Sequence, residues 1–132
     1  MKYLILLIGI CICSVLKSQA LMGADLAIIA EIKSDGTVLD ESGKKIGAIK
    51  SDGMVTNASS IIIGYIKSGN SIENEKKEFI GSINDKGEVI NKEKKPIGII
   101  KNGLVTTEKN ETIGYYENVD SVWVAVYFFF LF

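Results

Sequence analysis

The stretch Ile46-Gly47-Ala48-Ile49-Lys50-Ser51-Asp52-Gly53-Met54-Val55 decides the fold of this 132-residue chain. It is one copy of a repeat that is marked by Ile-Gly steps. The steps fall at 46–47, 63–64, 80–81, 97–98 and 113–114, so three of the intervals are 17 residues and the last is 16. A unit this short cannot bury its apolar face alone and has to pack against neighbouring units. The sequence therefore predicts one array of small repeated units.

Each repeat has the pattern of a β-hairpin. With the glycine as position 0, apolar residues stand at positions +2 and +8, as Ile49 and Val55 do. Between them lies the turn Ser51-Asp52-Gly53, whose glycine suits the left-handed residue of a three-residue hairpin loop. Such a loop pairs Ile49 with Val55 and, in the first copy, Ile32 with Val38.

The fifth copy tests the hairpin interpretation, because its turn is one residue shorter. This turn is Asn102-Gly103, a strong signal for a two-residue hairpin loop. A two-residue loop pairs Lys101 with Leu104 and Ile100 with Val105. The deletion thus shortens the turn and keeps the apolar pair, as a fixed hairpin register requires.

The repeats predict an all-β domain over residues 30–118, made of five tandem hairpins of about 17 residues around a pseudo-fivefold axis. The polar segments between hairpins are predicted to be solvated connections. A sixth half-unit, Thr112 to Tyr116, closes the ring by pairing with a first strand over Ala27 to Ile32, which removes free strand edges. An open β-solenoid is the alternative architecture. The repeated glycine marks either a β-bulge or a close approach of backbones near the axis, and a closed ring favours the close approach.

Residues 1–20 are predicted to be an export signal. Met1-Lys2 is positively charged, Tyr3 to Leu16 is apolar, and small residues at Ser18 and Ala20 predict cleavage after Ala20. The apolar run is shorter than the roughly 20 residues of a membrane-spanning helix. Residues 21–29 are then a lead-in and the start of the first strand. We expect the protein in the periplasm or cell envelope, or secreted from the cell.

The C-terminal segment, residues 119–132, ends in 11 consecutive apolar or aromatic residues. Asp120 or Ser121 can cap a helix here, whereas the valine and phenylalanine content favours a strand. We expect a short helix or an extended plug that packs over one end of the repeats and closes the array. Membrane contact through residues 122–132 is the alternative.

The composition argues against an enzyme. Both cysteines lie in the predicted export signal, and the chain has no histidine and no arginine. Thiol nucleophiles, histidine-dependent triads and typical zinc sites are therefore excluded from the exported part. Asp35 and Asp52 recur in turns, where hydrogen bonds to their own backbone explain them, and no turn groups enough acids for calcium. We predict no catalytic, metal-binding or cofactor-binding residues.

Two surface patterns point to partners. No nucleic acid is expected, since the 15 lysines are matched by 16 acidic residues. Lysines recur at position +3, where a ring would arrange them in a circle that attracts polyanions or glycan phosphates. Four aromatic residues offer a sugar- or peptide-binding surface if they are exposed. Solvated strands and core packing are the alternatives that we favour. The lysines are Lys33, Lys50, Lys67 and Lys101, with Asn84 in the fourth copy, and the aromatic residues are Tyr65, Tyr115, Tyr116 and Trp123.

The repeat Ile-Gly-x-Ile-x-x-Asp-Gly-x-Val, the last unit Thr112-Ile113-Gly114-Tyr115 and the tail Trp123 to Phe130 resemble the bacterial 5-fold β-flower proteins. The resemblance covers residues 30–132 and departs from the family pattern at Gly69-Asn70, where the usual Asp-Gly is inverted. It implies hairpin petals around a pseudo-fivefold axis and export from the cell, and it supplies no catalytic residues.

We therefore expect an exported, non-enzymatic structural or interaction module of the bacterial cell envelope. Its partner would be an envelope protein or a glycan that the sequence does not identify. A glycan- or peptide-binding module that uses the tyrosine and lysine surface is one alternative. A membrane-associated protein that uses its phenylalanine-rich tail is the other.

Overall fold

The computed structural model describes residues 19–132, so most of the predicted export signal lies outside the described residues. The described chain forms twelve short strands followed by a C-terminal helix. The strands are β1 (Ala20–Gly23), β2 (Ile28–Ile32), β3 (Thr37–Asp40), β4 (Lys45–Ile49), β5 (Met54–Asn57), β6 (Ile62–Lys67), β7 (Ser71–Asn74), β8 (Phe79–Ile83), β9 (Glu88–Asn91), β10 (Pro96–Lys101), β11 (Leu104–Thr107) and β12 (Thr112–Tyr116).

The strands form a closed antiparallel barrel, in which each strand pairs with the next and β12 pairs with β1. The predicted closed array of hairpins is confirmed, and the open solenoid is wrong. Loops therefore lie at two opposite ends of the barrel. We call the end with the loops after β2, β4, β6, β8 and β10 the turn end. The end with the loops after β1, β3, β5, β7, β9 and β11 is the connection end.

The hairpin registers agree with those predicted from the repeat. Ile49 lies opposite Val55, and the equivalent pair in the first copy is also formed. In the fifth copy Ile100 pairs with Val105. The short loop there has positive φ at both residues, 54° at Asn102 and 81° at Gly103, as a two-residue loop matched to the strand twist requires. The spacing of apolar residues thus sets which side chains enter the core.

The predicted lead-in needs correction, because it contains the strand that closes the barrel. Strand β1 pairs with β12 on one side and with β2 on the other. The ring therefore closes on β1 and not on the predicted first strand. Besides the five tandem hairpins, the barrel contains a sixth two-stranded unit. It consists of β1 and β12, from the two ends of the described chain. β1 was missed because it carries no Ile-Gly step, although its Leu21 is fully buried.

Strand β1 contains both residues of the predicted cleavage site, Ala20 and Leu21. The carbonyl of Gln19 accepts a hydrogen bond from the backbone N–H of Ile32 at 3.0 Å, and the carbonyl of Ala20 accepts one from Glu117 at 3.0 Å. Cleavage of the peptide bond between Ala20 and Leu21 would remove both of these hydrogen bonds. It would also shorten strand β1 and place a charged amine on Leu21, whose side chain is buried in the core. Cleavage after Ala20 stays a prediction, and the hydrogen bonds that Gln19 and Ala20 make in the folded barrel argue against it.

The connections are solvated but are tight three-residue turns. In one of them the N–H of Asn74 donates to the carbonyl of Glu78 at 2.9 Å. The side-chain Oδ1 of Asn74 accepts from the N–H groups of Lys76 and Glu78 at 2.9 and 3.0 Å. The third residue of each such turn has positive φ, although only one of these residues is glycine. They are Leu26, Gly43, Ser60, Lys77, Lys94 and Asn110.

Each Ile-Gly step forms a β-bulge. Val38 pairs with Gly47 and the next residue, Leu39, pairs with Lys45, so Ile46 is the extra residue. The same shift recurs before every repeat glycine and before Ala30. The extra isoleucines pack against the core. The bulge interpretation of the repeated glycine is therefore correct. The close approach, which is described below, also occurs at the same glycines, so the two interpretations are compatible.

The C-terminal segment forms a helix inside the barrel. It consists of α1 (Ser121–Ala125) and a π-helical turn over Val126–Phe130. The Asp120 side chain caps it by accepting a hydrogen bond from the N–H of Val122 at 3.2 Å. Val124, Ala125 and Val126 are fully buried within one cluster with the strand isoleucines and valines. The expected plug is thus a helix, and it fills the barrel instead of packing over one end.

The end of the helix contacts the five repeat glycines one by one. A Cβ atom added at Gly98 would lie 2.6 Å from the carbonyl oxygen of Thr106 and 2.7 Å from Cε1 of Phe129. The other four glycines meet a strand carbonyl and a tail side chain in the same way. In reverse chain order, Gly114 meets Phe128, Gly98 meets Phe129, Gly81 meets Phe130, Gly64 meets Leu131 and Gly47 meets Phe132.

The close approach predicted for the glycines is therefore mainly to the tail. The predicted crowding of backbones at an axis is limited to the carbonyl of the neighbouring strand. Tyr127 completes the ring of side chains, since it packs edge-on against Phe128 at 5.4 Å and stacks on Phe132 at 6.0 Å between ring centroids.

The π-helical turn explains why consecutive residues meet consecutive units. An α-helix turns by about 100° per residue, which would carry each side chain past the neighbouring unit. The wider turn is closed by the N–H of Leu131, which donates to the carbonyl of Val126 at 2.9 Å. Bonding over five residues lowers the rotation per residue. Phe128, Phe129 and Phe130, which lie in this turn, can therefore follow three successive glycines in order.

Substituting Gly98 by alanine tests this contact. We expect Gly98→Ala to lower the free energy of unfolding by about 3 kcal/mol or more, because the new methyl group clashes with a ring and with a carbonyl held in the sheet. Urea unfolding of the purified domain measures the change. Gly43→Ala is the control, since a Cβ there meets nothing within 4 Å and only its positive φ opposes the change, by about 1 kcal/mol. Equal losses for the two variants would contradict the packing argument.

Substituting Lys94 by glycine tests the connection turns. Lys94 has φ of 64°, a conformation that costs a non-glycine residue roughly 1–2 kcal/mol. Glycine avoids this cost but makes the unfolded chain more flexible. We expect Lys94→Gly to stabilise the domain by about 0.5–1 kcal/mol, measured as a higher urea midpoint. Lys92→Gly in the same turn should destabilise it, because Lys92 is not among the residues with positive φ. A destabilised Lys94→Gly variant would contradict the prediction.

Candidate functional site

The lysines at position +3 lie exposed at the turn end, as the repeat predicts. Only some of them line clefts. Lys50 lines two clefts, and Lys101 lines a third on another part of the same end. Lys33 and Lys67 line none of these three. The structure therefore singles out two of the lysines instead of presenting one uniform circle.

Trp123 lines both of the clefts that share Lys50. The first has a volume of 430 Å³ and is also lined by Ser34, Asp35 and Ile49. The second has a volume of 340 Å³. Its walls include the turn Ser51 to Gly53. Both clefts are open to solvent, and the indole and Lys50 belong to both.

The helix start fixes the position of Trp123. Asp120 caps the helix, and Val122 and Val124 on either side of the tryptophan are buried in the core. These anchors leave Trp123 partly buried, beside the turns of neighbouring units. The α-helical start of the tail thus presents an aromatic side chain at the turn end.

The turns supply carboxylates of fixed position. Asp35 accepts a hydrogen bond from the N–H of Thr37 at 3.0 Å, and Asp52 accepts one from Met54 at 3.0 Å. The bond from the Thr37 backbone lowers the pKa of Asp35 below its ordinary value, and a bond from the Thr37 side chain adds to this effect. Asp35 is therefore ionised at neutral pH, so the cleft carries both a carboxylate and the ammonium of Lys50.

The third cleft has a different aromatic wall. It has a volume of 560 Å³ and is lined by Tyr116 together with Asp85, Lys86, Lys101 and Ser121 among others. Its polar residues again come from turns that follow the repeat glycines. The turn end thus combines aromatic side chains with charges of both signs at two places.

The other predicted aromatic residues do not join the clefts described here. Tyr65 and Tyr115 are partly buried, and each lies within a strand, opposite Met54 and Leu104 respectively. The ammonium groups of Lys67 and Lys77 lie 6.0 and 5.7 Å from the centre of the Tyr65 ring. The predicted tyrosine and lysine surface is therefore divided, and Tyr116 and Trp123 are its cleft-lining members.

The connection end differs from the turn end, because the ring of tail side chains closes it. Tyr127 to Leu131 are partly buried there, and Phe132 is 38% exposed. Burial raises the pKa of the Tyr127 hydroxyl, and the negative charges of Glu41 and Asp40 raise it further. The helix thus runs from the turn end at Trp123 to the connection end at Tyr127.

In residues 19–132 no group of three or more carboxylate, histidine or cysteine side chains is placed to hold a metal ion. The same part of the chain contains no helix that is long and apolar enough to cross a membrane. The cleft walls offer an aromatic surface, an ammonium group, carboxylates and hydroxyls.

The comparisons with known proteins identify the family. A model of the 5-fold beta-flower proteins matches residues 17–132, which is most of the chain. The chain belongs to the 5-fold β-flower family. No curated protein and no solved structure matches this β-flower chain. The family resemblance expected from the repeat and the tail is confirmed.

The sequence named Trp123 and Lys50 as candidates but did not bring them together. The residues missed are the polar side chains of the turns, Ser34, Asp35, Ser51 and Asp52, which form the cleft walls. The repeated Ser-Asp-Gly turn was the available signal. This motif predicts a turn and does not predict a cleft. The cleft also needs Trp123, and the direction of the C-terminal helix decides which end of the β-flower receives that residue.

Replacing Tyr127 by phenylalanine tests the environment of its hydroxyl. The folded state holds the pKa of the Tyr127 hydroxyl above its ordinary value of about 10. Below about pH 10 the hydroxyl is protonated in the folded and unfolded states, so its contribution to the free energy of unfolding is fully present. This stability falls as the pH rises through the raised pKa, because the unfolded chain ionises first. We expect Tyr127→Phe to lose less stability than the wild type between neutral and alkaline pH, in urea unfolding.

The matched variant is Glu41→Gln, which removes one of the two neighbouring negative charges and keeps the tyrosine buried. It should show an alkaline loss that is smaller than that of the wild type and larger than that of Tyr127→Phe. Identical pH dependence in the wild type and Tyr127→Phe would contradict the assignment.

Proposed function

We propose that this β-flower protein is an exported, non-enzymatic module of the bacterial cell envelope that acts by binding a partner at its turn end. The observation that carries the proposal is the position of Trp123, which lines two clefts together with Lys50. A partly buried tryptophan among convergent polar groups is typical of a recognition surface. The apolar N-terminal run supports export.

Membrane association through residues 122–132 receives less support. Val122, Val124, Ala125 and Val126 are buried in the core, and five of the last residues pack on the repeat glycines. These side chains would have to leave the barrel to enter a bilayer. Their removal would expose the apolar interior of the barrel to water, so the folded structure argues against membrane association.

Site-specific photo-crosslinking in bacteria tests the proposal. The full chain is expressed with a diazirine-bearing lysine analogue that keeps its ammonium group, placed at position 50 at the turn end or at position 92 at the connection end, where both native lysines are exposed. We expect the protein in the envelope fraction, with adducts at position 50 and fewer at position 92. Retention in the cytoplasm would overturn export. Adducts that are absent at position 50, or equal at both positions, would overturn binding at the turn end.

A further inference from the structure

We propose that the two clefts beside Trp123 bind a neutral oligosaccharide, with the indole as the surface on which a sugar ring stacks and Lys50 as a polar contact for neighbouring sugar units. The inference rests on the proposed function, because it names the class of ligand that the turn end takes. It is carried by the shape of the clefts, their chemistry and their charge.

The shape favours an extended ligand. The clefts have volumes of 430 and 340 Å³, and small-molecule sites typically have roughly 300–1,000 Å³. They share Lys50, Ser51 and Trp123 and lie over successive turns. A ligand made of several linked units can occupy both clefts at once and contact the indole that they share.

The chemistry matches a sugar. A pyranose has a flat apolar face of C–H groups and a rim of hydroxyls that both donate and accept hydrogen bonds. Trp123 offers an aromatic face to the apolar side. Around it stand the Ser34 and Ser51 hydroxyls, which donate and accept, and the Asp35 carboxylate, which only accepts. Lys50 adds a donor to both clefts.

The charge indicates a neutral ligand instead of a polyanion. Lys50 is accompanied by Asp35 in one cleft and by Asp52 in the other. Phosphate or sulfate groups placed there would be repelled by the carboxylates, whereas the hydroxyls of a neutral sugar can bond to the ammonium and to the carboxylates. The lysine circle alone would have suggested a polyanion, and the aspartates of the same turns argue against it.

A peptide fits this surface less well. Peptides commonly bind by adding a strand to a free sheet edge or by laying an amphipathic helix into an apolar groove. Every strand of the described barrel has two paired neighbours, so it offers no free edge. The cleft walls combine Ile49, Ile66 and Trp123 with serine, aspartate and lysine side chains, so neither cleft is walled by apolar side chains alone.

Intrinsic fluorescence gives a direct test, because Trp123 is the only tryptophan of the chain. The folded exported protein is titrated with neutral tetrasaccharides of β-1,4-linked N-acetylglucosamine, β-1,4-linked glucose, α-1,4-linked glucose and β-1,4-linked mannose. We expect at least one of them to shift the Trp123 emission saturably at millimolar concentrations or below. Inorganic polyphosphate is the probe for the polyanion alternative and should not shift it.

Variants locate the site. Lys50→Ala should weaken the affinity for the same sugar by about tenfold, as expected when one hydrogen bond to a charged group is lost. Lys33→Ala is the matched control, since Lys33 has the same position +3 in the neighbouring unit and lines neither cleft. It should leave the affinity unchanged. Trp123→Phe should weaken binding measured by calorimetry, with circular dichroism to show that the barrel is still folded.

Three results would overturn the inference: no emission shift with any of the four sugars, a shift with polyphosphate alone, or equal effects of Lys50→Ala and Lys33→Ala. The proposed function is judged separately by the crosslinks at positions 50 and 92. If position 50 crosslinks selectively while no sugar binds, the turn end recognises a partner of another class and only the present inference fails.

Discussion

The fold depends on the contact between five repeat glycines and five consecutive side chains at the end of the chain. Each glycine lies beside a carbonyl of the neighbouring strand and under a tail side chain, from Phe128 on Gly114 to Phe132 on Gly47. The strand side chains at the centre are isoleucines and valines, and the helix fills the space that they enclose. The order is reversed, so the last residue meets the first glycine. Barrel, helix and bulges therefore have to be in register with one another.

Closure of the barrel also explains why the tail is helical. The last residues are rich in valine and phenylalanine, which favour strands. Inside a barrel whose strands are all paired, an added strand would have no partner, and its buried backbone N–H and C=O groups would remain unsatisfied. A helix satisfies these groups within itself. Tertiary context therefore overrides local propensity in this segment.

Much of the barrel could be predicted because the repeat fixes pairs of residues. Ile49 and Val55, or Ile100 and Val105, are close in sequence, so the length of one turn decides their register. Strand β1 could not be found this way, since its partners lie at residues 28–31 and 114–116, and one of these sets is at the far end of the chain. The connection turns were missed for a different reason. Their left-handed residues include Ser60, Lys77 and Lys94, and the signal was the side chain that caps each turn, as Asn74 does. The candidate site depends on the direction of the helix, which local patterns do not contain.

Hydrogen bonds between neighbouring units fix turns at the turn end to one another. The carbonyl of Gly36 accepts a hydrogen bond from the N–H of Ile49 at 2.7 Å, and the carbonyl of Gly53 accepts one from Ile66 at 2.7 Å. Each of these two turns is thereby bonded to the strand of the next unit, which carries the next turn. A Cβ at either glycine would collide with that strand, so the glycine permits the turn and the link between units. Cleft walls that are held in this way lose little conformational entropy when a ligand binds. The repeat that builds the barrel therefore also pre-organises the surface around Trp123.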